Sequence, residues 1–233
     1  AFEAARLAVK YMTPVFFMSD GYIANGAEPW LIPKASSLPR LDVTFHSNPD
    51  GFKPYLRDET TLARPWVKPG TRGLEHRIGG LEKEDGTGNV SYDPANHEYM
   101  VKIRAEKVRR IADDIPDAEI YGDDKGDLLL VGWGGTYGAL RAATTELRAH
   151  GRSVTHLHLR HMNPLPKNVG PTLQRFSHVV IAELNNGQLI KILRDRFLIP
   201  MRGLNKIQGQ PFRVSEIISW VQGALDSAQE VTQ

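Results

Sequence analysis

Four short stretches carry residue types and spacings that could do chemistry. The first is Gly132-Trp-Gly-Gly-Thr-Tyr-Gly138, in which Gly132, Gly134 and Gly138 follow an apolar run, Leu128 to Val131. Glycines between a strand and a helix allow a tight turn and close approach of a diphosphate to the helix N-terminus. The second, His156-Leu-His158-Leu-Arg-His161, places two imidazoles on one face of a strand, where they could converge on a metal. The third is Glu75-His76, an acid–base pair in a glycine-flanked loop, "TRGLEHRIGG", that could move a proton or hold a carboxylate. The fourth is Asn185-Asn-Gly187-Gln188, a turn after the apolar run ending at Glu183-Leu184, where the C-terminal ends of parallel strands face a crevice.

Each stretch also has a plain structural reading. Trp133 and Tyr137 put bulk where a dinucleotide needs bare backbone, and the next strand ends in "LHLRH" with no acid for a ribose. Arg160 there leaves open an NADP-dependent oxidoreductase that reads a 2′-phosphate. His156 and His158 read better as half-buried structural histidines than as ligands. Asn and Gly in the fourth stretch are the residues that tolerate positive φ, so geometry alone can explain them. Glu75 and His76 can equally be two polar residues on an exposed loop.

The elements that must position these residues follow from periodicity. Phe2 to Tyr11 reads as a helix stopped at Thr13-Pro14, and Val15 to Met18 as a buried strand. One helix and one strand cannot bury both faces of that strand, so the chain is expected to be a piece of something larger. Residues 35 to about 95, rich in Pro and Gly, read as an extended excursion with short strands and turns. Asn96 to Ile115 reads as a charged helix capped by Asp93 or Asn96, with Lys102 to Arg110 as its solvated face. From Glu119 strands at 128–133, 154–160, 178–184 and 204–207 alternate with helices at 137–150, 168–176, 188–197 and 214–228. That alternation predicts an α/β fold, a mostly parallel sheet with helices on both faces.

Composition narrows the function. The 233 residues are 41% apolar and 24% charged, ordinary for a globular protein. A net charge of +2 is too small to argue for nucleic acid or an anionic membrane surface. Cysteine is absent, which removes disulfides, thiolate nucleophiles and cysteine-ligated clusters from this chain. No apolar run is long enough to span a bilayer and no signal-peptide pattern opens the chain, so a cytoplasmic protein is expected.

Taken in order, "AARLAVKYMTPVFFMSDGYIANGAEPWLIP", "GLEH" with "YDPANHEYMVKIRAEKV", and "VGWGGTYGALRAA", "HLRHMNPLP" and "VVIAELNNGQL" resemble one family. It is the alpha subunit of the 2-oxoacid:ferredoxin oxidoreductases, closest to the 2-oxoglutarate type. The resemblance implies that residues 1–34 end a pyrimidine-binding thiamine diphosphate domain. It implies that 35–118 are an excursion and connecting helix, and 119–233 a transketolase C-terminal-like domain. It further implies a heterotetrameric assembly with a beta subunit carrying the diphosphate half of the cofactor site and a [4Fe-4S] cluster. Thiamine diphosphate with Mg would lie in a shared site mostly outside this chain, and no catalytic residue or metal ligand is assignable here. Ferredoxin and coenzyme A would be partners, and the piece alone should be inactive.

The same resemblance implies roles for individual residues. Asp20 and Asn25 would face the crevice near the cofactor, and Glu75 and His76 the substrate or CoA channel. Asn185, Gly187 and Gln188 would form a subunit-contact or channel turn. Beside it stand the NADP-dependent reading of Gly132 to Gly138 and a non-catalytic assembly module.

Overall fold

The computed structural model describes residues 1–230. The chain divides into two compact units. The first joins Ala1–Phe17 to Ala27–Asp114; the second joins Met18–Gly26 to the residues from Ile115 onward. These boundaries differ from the composition breaks near 34 and 118.

In the first unit, helix α1 (Phe2–Tyr11) ends where Met12 turns left-handed at φ 44°. It buries Leu7 and Tyr11. Arg6 and Lys10 on the same helix bind Asp114, each at 2.8–2.9 Å. The Pro/Gly-rich stretch forms no regular strand, only isolated bridges such as Phe45 with Trp66 and Tyr55 with Gly86. Trp66 ties it to α1 by donating from Nε1 to the Val9 carbonyl at 3.0 Å. Helix α3 (Pro94–Arg110) begins as Asp93 accepts from the Ala95 and Asn96 amides, with Pro94 in its first turn. One expectation fails here. Lys107, read as part of a solvated basic face, is 8% exposed and donates to the Met12 carbonyl at 3.0 Å.

A second correction concerns Val15 to Met18. It is not a strand: no ladder includes it, and Phe16 is 89% exposed. A strand needs a neighbour to satisfy its amides and carbonyls, and none pairs with this segment among the described residues. A short helix, α2 (Gly21–Ala24), follows it in the second unit.

The second unit is a five-stranded sheet in the order β1-β3-β2-β4-β5. Its strands are β1 (Glu119–Tyr121), β2 (Gly126–Trp133), β3 (Val154–Leu159), β4 (Phe176–Glu183) and β5 (Arg202–Asn205). All neighbours are parallel except β1, which runs antiparallel to β3. Alternation decides which side chains go where. Leu129, Val131, Leu157, Val179 and Ile181 pack against α5 (Val169–Leu173) and α6 (Gln188–Phe197). Leu128, Leu130, Val154, Val180 and Ala182 pack against α4 (Tyr137–Ala149) and α7 (Val214–Glu230). Helices therefore cover both faces, as the alternating sequence pattern requires.

Candidate functional site

The candidate residues of the second unit cluster at the C-terminal ends of β2 and β4, around Trp133 and Glu183. The glycine turn closes β2 onto α4. Thr136 Oγ accepts from the Trp133 amide at 3.1 Å and donates to the Trp133 carbonyl at 2.9 Å, which folds the turn back on itself. Gly134 takes φ +57°, a conformation that glycine adopts freely. A Cβ on Gly132 would fall 2.2 Å from Leu140 Cδ1. A Cβ on Gly135 would fall 2.4 Å from Asp20 Oδ2.

That last distance decides what the turn is for. Asp20 Oδ1 accepts from the Tyr22 amide at 2.8 Å and caps α2, while Oδ2 reaches the bare backbone of Gly135. A carboxylate already occupies the space beside the turn. A diphosphate beside Gly135 would meet like charge, which counts against the dinucleotide reading of Gly132 to Gly138. Arg160, the residue that suggested a 2′-phosphate, instead lies 3.7 Å from Glu119 on the exposed surface. Cysteine is absent, so this chain offers no thiolate to an iron–sulfur cluster.

Glu183, at the end of β4, is the group that sequence reasoning missed. It is fully buried, and four donors converge on its carboxylate. The Leu189 and Ile190 amides at the start of α6 reach it at 2.8 and 3.1 Å, Asn185 Nδ2 at 3.2 Å and Trp133 Nε1 at 3.3 Å. The carboxylate thus satisfies orphan donors of a helix N-terminus and pins the indole of β2 to the end of β4. Its signal in the sequence was an acid closing an apolar strand, five residues before a helix.

The Asn185-to-Gln188 turn is built around that carboxylate. Asn185 Oδ1 accepts from the Gln188 amide at 3.0 Å, and its own carbonyl accepts from Asn205 Nδ2 at 2.9 Å. Gly187 sits buried at φ +73°. Asn25 caps α2 from the other end, donating from Nδ2 to the Gly21 carbonyl at 2.7 Å. Glu75 and His76 lie in the first unit, Glu75 exposed and His76 half-buried. His76 Nδ1 lies 2.8 Å from the Leu74 carbonyl and its ring tilts against Phe52. Glu75 and His76 therefore belong to one unit, and Asp20, Asn25 and the Asn185 turn to the other.

His156 and His158 share the α4 face of β3, as alternation predicts, but they are buried, at 1% and 9% exposure, not half-buried. Tyr137 packs on both rings, 5.7 and 4.9 Å between centroids. His156 Nε2 and His158 Nδ1 are buried with no hydrogen-bond partner. Burial, then the neighbouring His158 and Arg141, lowers the His156 pKa to about 3; burial and Arg160 lower that of His158 to about 4. Among the described residues no group of three or more His, Asp or Glu is placed to hold a metal.

A parallel α/β sheet with this polar edge is the class of protein that the fold defines. Comparison narrows it. No protein-family model matches the chain. It is 47% identical over 227 residues to the 2-oxoglutarate oxidoreductase subunit KorA of Mycobacterium tuberculosis, covering 97% of this chain and 34% of that protein. It is 31% identical over 236 residues to 2-oxoacid:ferredoxin oxidoreductase 1, subunit alpha, of Aeropyrum pernix, covering 97% and 36%. Among solved structures it is similar to the 2-oxoglutarate:ferredoxin oxidoreductase of Magnetococcus marinus, described with 2-oxoglutarate, coenzyme A and succinyl-CoA bound. The TM-score is 0.86 at 28% identity, over 94% of this chain and 38% of that one. The resemblance read from the sequence is borne out: the chain is related along nearly all its length to the 2-oxoacid:ferredoxin oxidoreductase alpha subunits. It spans about a third of the length of these relatives.

Proposed function

We propose that this chain is the C-terminal portion of the alpha subunit of a 2-oxoglutarate:ferredoxin oxidoreductase. The complete enzyme would oxidatively decarboxylate 2-oxoglutarate to succinyl-CoA and pass electrons to ferredoxin. The observation that carries this is the 47% identity to the mycobacterial 2-oxoglutarate oxidoreductase subunit, held over 97% of the chain. The ligands bound in the Magnetococcus marinus enzyme support the choice of substrate.

Thiamine diphosphate with Mg would supply the ylid and the electron sink of such a reaction. The cofactor would sit in a shared site mostly outside this chain, and the lack of cysteine supports a [4Fe-4S] cluster carried on a beta subunit. In this reading the second unit, a transketolase C-terminal-like domain, supplies rigid support. Asp20 and Asn25 fix the short helix α2 toward the crevice. Glu75 and His76 line the substrate or CoA channel, and Asn185, Gly187 and Gln188 form a contact turn. The exposed apolar stretch of Phe16, Phe17, Trp30, Leu31 and Ile32, with Leu31 91% exposed, supports docking against the rest of the alpha subunit or the beta subunit.

The test is an assay of the full-length protein purified with whatever subunits accompany it. Reduction of ferredoxin that depends on both 2-oxoglutarate and coenzyme A is the expected result, with pyruvate turned over more slowly. Absence of reduction with every 2-oxoacid tried would remove this reading.

A further inference from the structure

The first unit holds a cleft to which none of the sites described above belongs. Its volume is about 420 Å³, within the range of roughly 300–1,000 Å³ typical of small-molecule sites. Five cationic side chains line it, Arg57, Arg64, Lys83, Arg104 and Lys107, against the carboxylate of Glu82.

Two of the five are already satisfied. Lys83 Nζ donates to the carbonyls of Gly79 and Leu81. Arg104 binds Glu82 at 3.0 Å, and Arg104 with His97 holds that carboxyl near a pKa of about 2. The other three form no direct ion pair with a carboxylate among the described residues; Asp85 acts on Arg57 only through space, against the larger effect of burial. Arg57 donates to the Leu62 carbonyl at 3.0 Å, Arg64 to that of Pro54 at 3.4 Å and Lys107 to that of Met12 at 3.0 Å. Arg57 Nε is buried with no partner at all. Tyr55 orients the pair, its ring 4.5 Å from the Arg64 guanidinium carbon and 5.9 Å from that of Arg57.

Burying cations without counter-charge is costly unless something compensates them. Lys107 registers that cost: burial, then Arg57, Arg64 and Arg104, lowers its pKa to about 8. A singly charged carboxylate would leave most of this charge unmatched. A phosphate group carries close to two negative charges and three acceptor oxygens, and guanidinium forks suit it. We propose that the cleft binds a small molecule through a phosphate group, its oxygens held by Arg57, Arg64 and Lys107. This rests on the first unit's own residues and not on the proposed reaction, so it can fail or hold independently of that reading.

Calorimetric titration of the full-length protein, in its complex, tests the proposal with inorganic phosphate, sulfate, coenzyme A and dephospho-coenzyme A as probes. Phosphate and sulfate should bind saturably, and R57Q and R64Q should each weaken them about tenfold or more, the loss of a hydrogen bond to a charged group. K102Q, on the exposed face of α3, should leave binding unchanged. If the phosphate belongs to the coenzyme, dephospho-coenzyme A binds more weakly than coenzyme A and R57Q abolishes the difference. If free phosphate is the ligand, the two coenzymes behave alike. Sulfate binding near pH 8 should also draw a proton onto Lys107, an uptake lost in K107M. No saturable binding of phosphate or sulfate, or equal binding by wild type, R57Q and R64Q, would overturn the proposal.

Discussion

Glu183 carries two loads at once, and its removal separates them. Glu183→Ala would strand two amides of α6 and the Trp133 indole inside the protein. Leaving buried donors unpaired costs about 1–3 kcal/mol each where water cannot reach them. We expect a loss of about 3 kcal/mol in urea unfolding, with Trp133 fluorescence reporting its freed ring. The buried histidines give a second residue-scale expectation, in the acid range. Both have folded pKa values below the unfolded value of 6.5, at about 3 and about 4. Their contribution is therefore complete above pH 6.5 and is lost as pH falls toward 4, because the unfolded chain takes up protons that the folded one refuses. Because the two rings pack against each other, they titrate as a coupled pair, and together should cost on the order of 1 kcal/mol per pH unit over that window. Unfolding midpoints at pH 7 and pH 5 check this, and H156L should flatten the dependence; an unchanged slope would contradict it.

Among the elements, the β2–α4 turn separates glycines that matter from one that does not. G135A drives a methyl into Asp20 and G132A into Leu140, so both should destabilise the second unit. Gly138 meets nothing within 4 Å and lies in the first turn of α4, so G138A should be tolerated and stabilise by no more than about 0.5 kcal/mol. Thermal melting of the three variants ranks them. The same elements show what the sequence makes legible. α1 and α6 begin and end where periodicity and their flanking turn residues put them, because those signals are local. β1 was missed: three residues pairing antiparallel at an edge carry too little alternation to register. Val15 to Met18 misled because an apolar run reports hydrophobicity, whereas a strand also requires a partner. Glu183 and Lys107 were hidden for the opposite reason, since their surroundings are made by residues distant in the chain. The cationic cleft draws on positions from 55 to 107, which no short motif brings together.

For the molecule as a whole, the exposed apolar side chains Phe16, Phe17, Trp30, Leu31 and Ile32 of the first unit call for a covering surface. Phe17 is 65% and Trp30 72% exposed, far beyond the scattered apolar residues of an ordinary surface. F17S combined with W30S should reduce co-purification of the partner subunits several-fold while circular dichroism of the protein stays unchanged; undiminished recovery would argue that docking uses another face. The sheet of the second unit ends on one side in β1, three residues long, and on the other in β5, of four. So short a rim presents few free amides and carbonyls for a foreign strand to zip onto. Whatever the exposed apolar side chains of the first unit dock against, the sheet of the second unit is thereby spared a separate hazard, the templated growth of fibrils from its own edges.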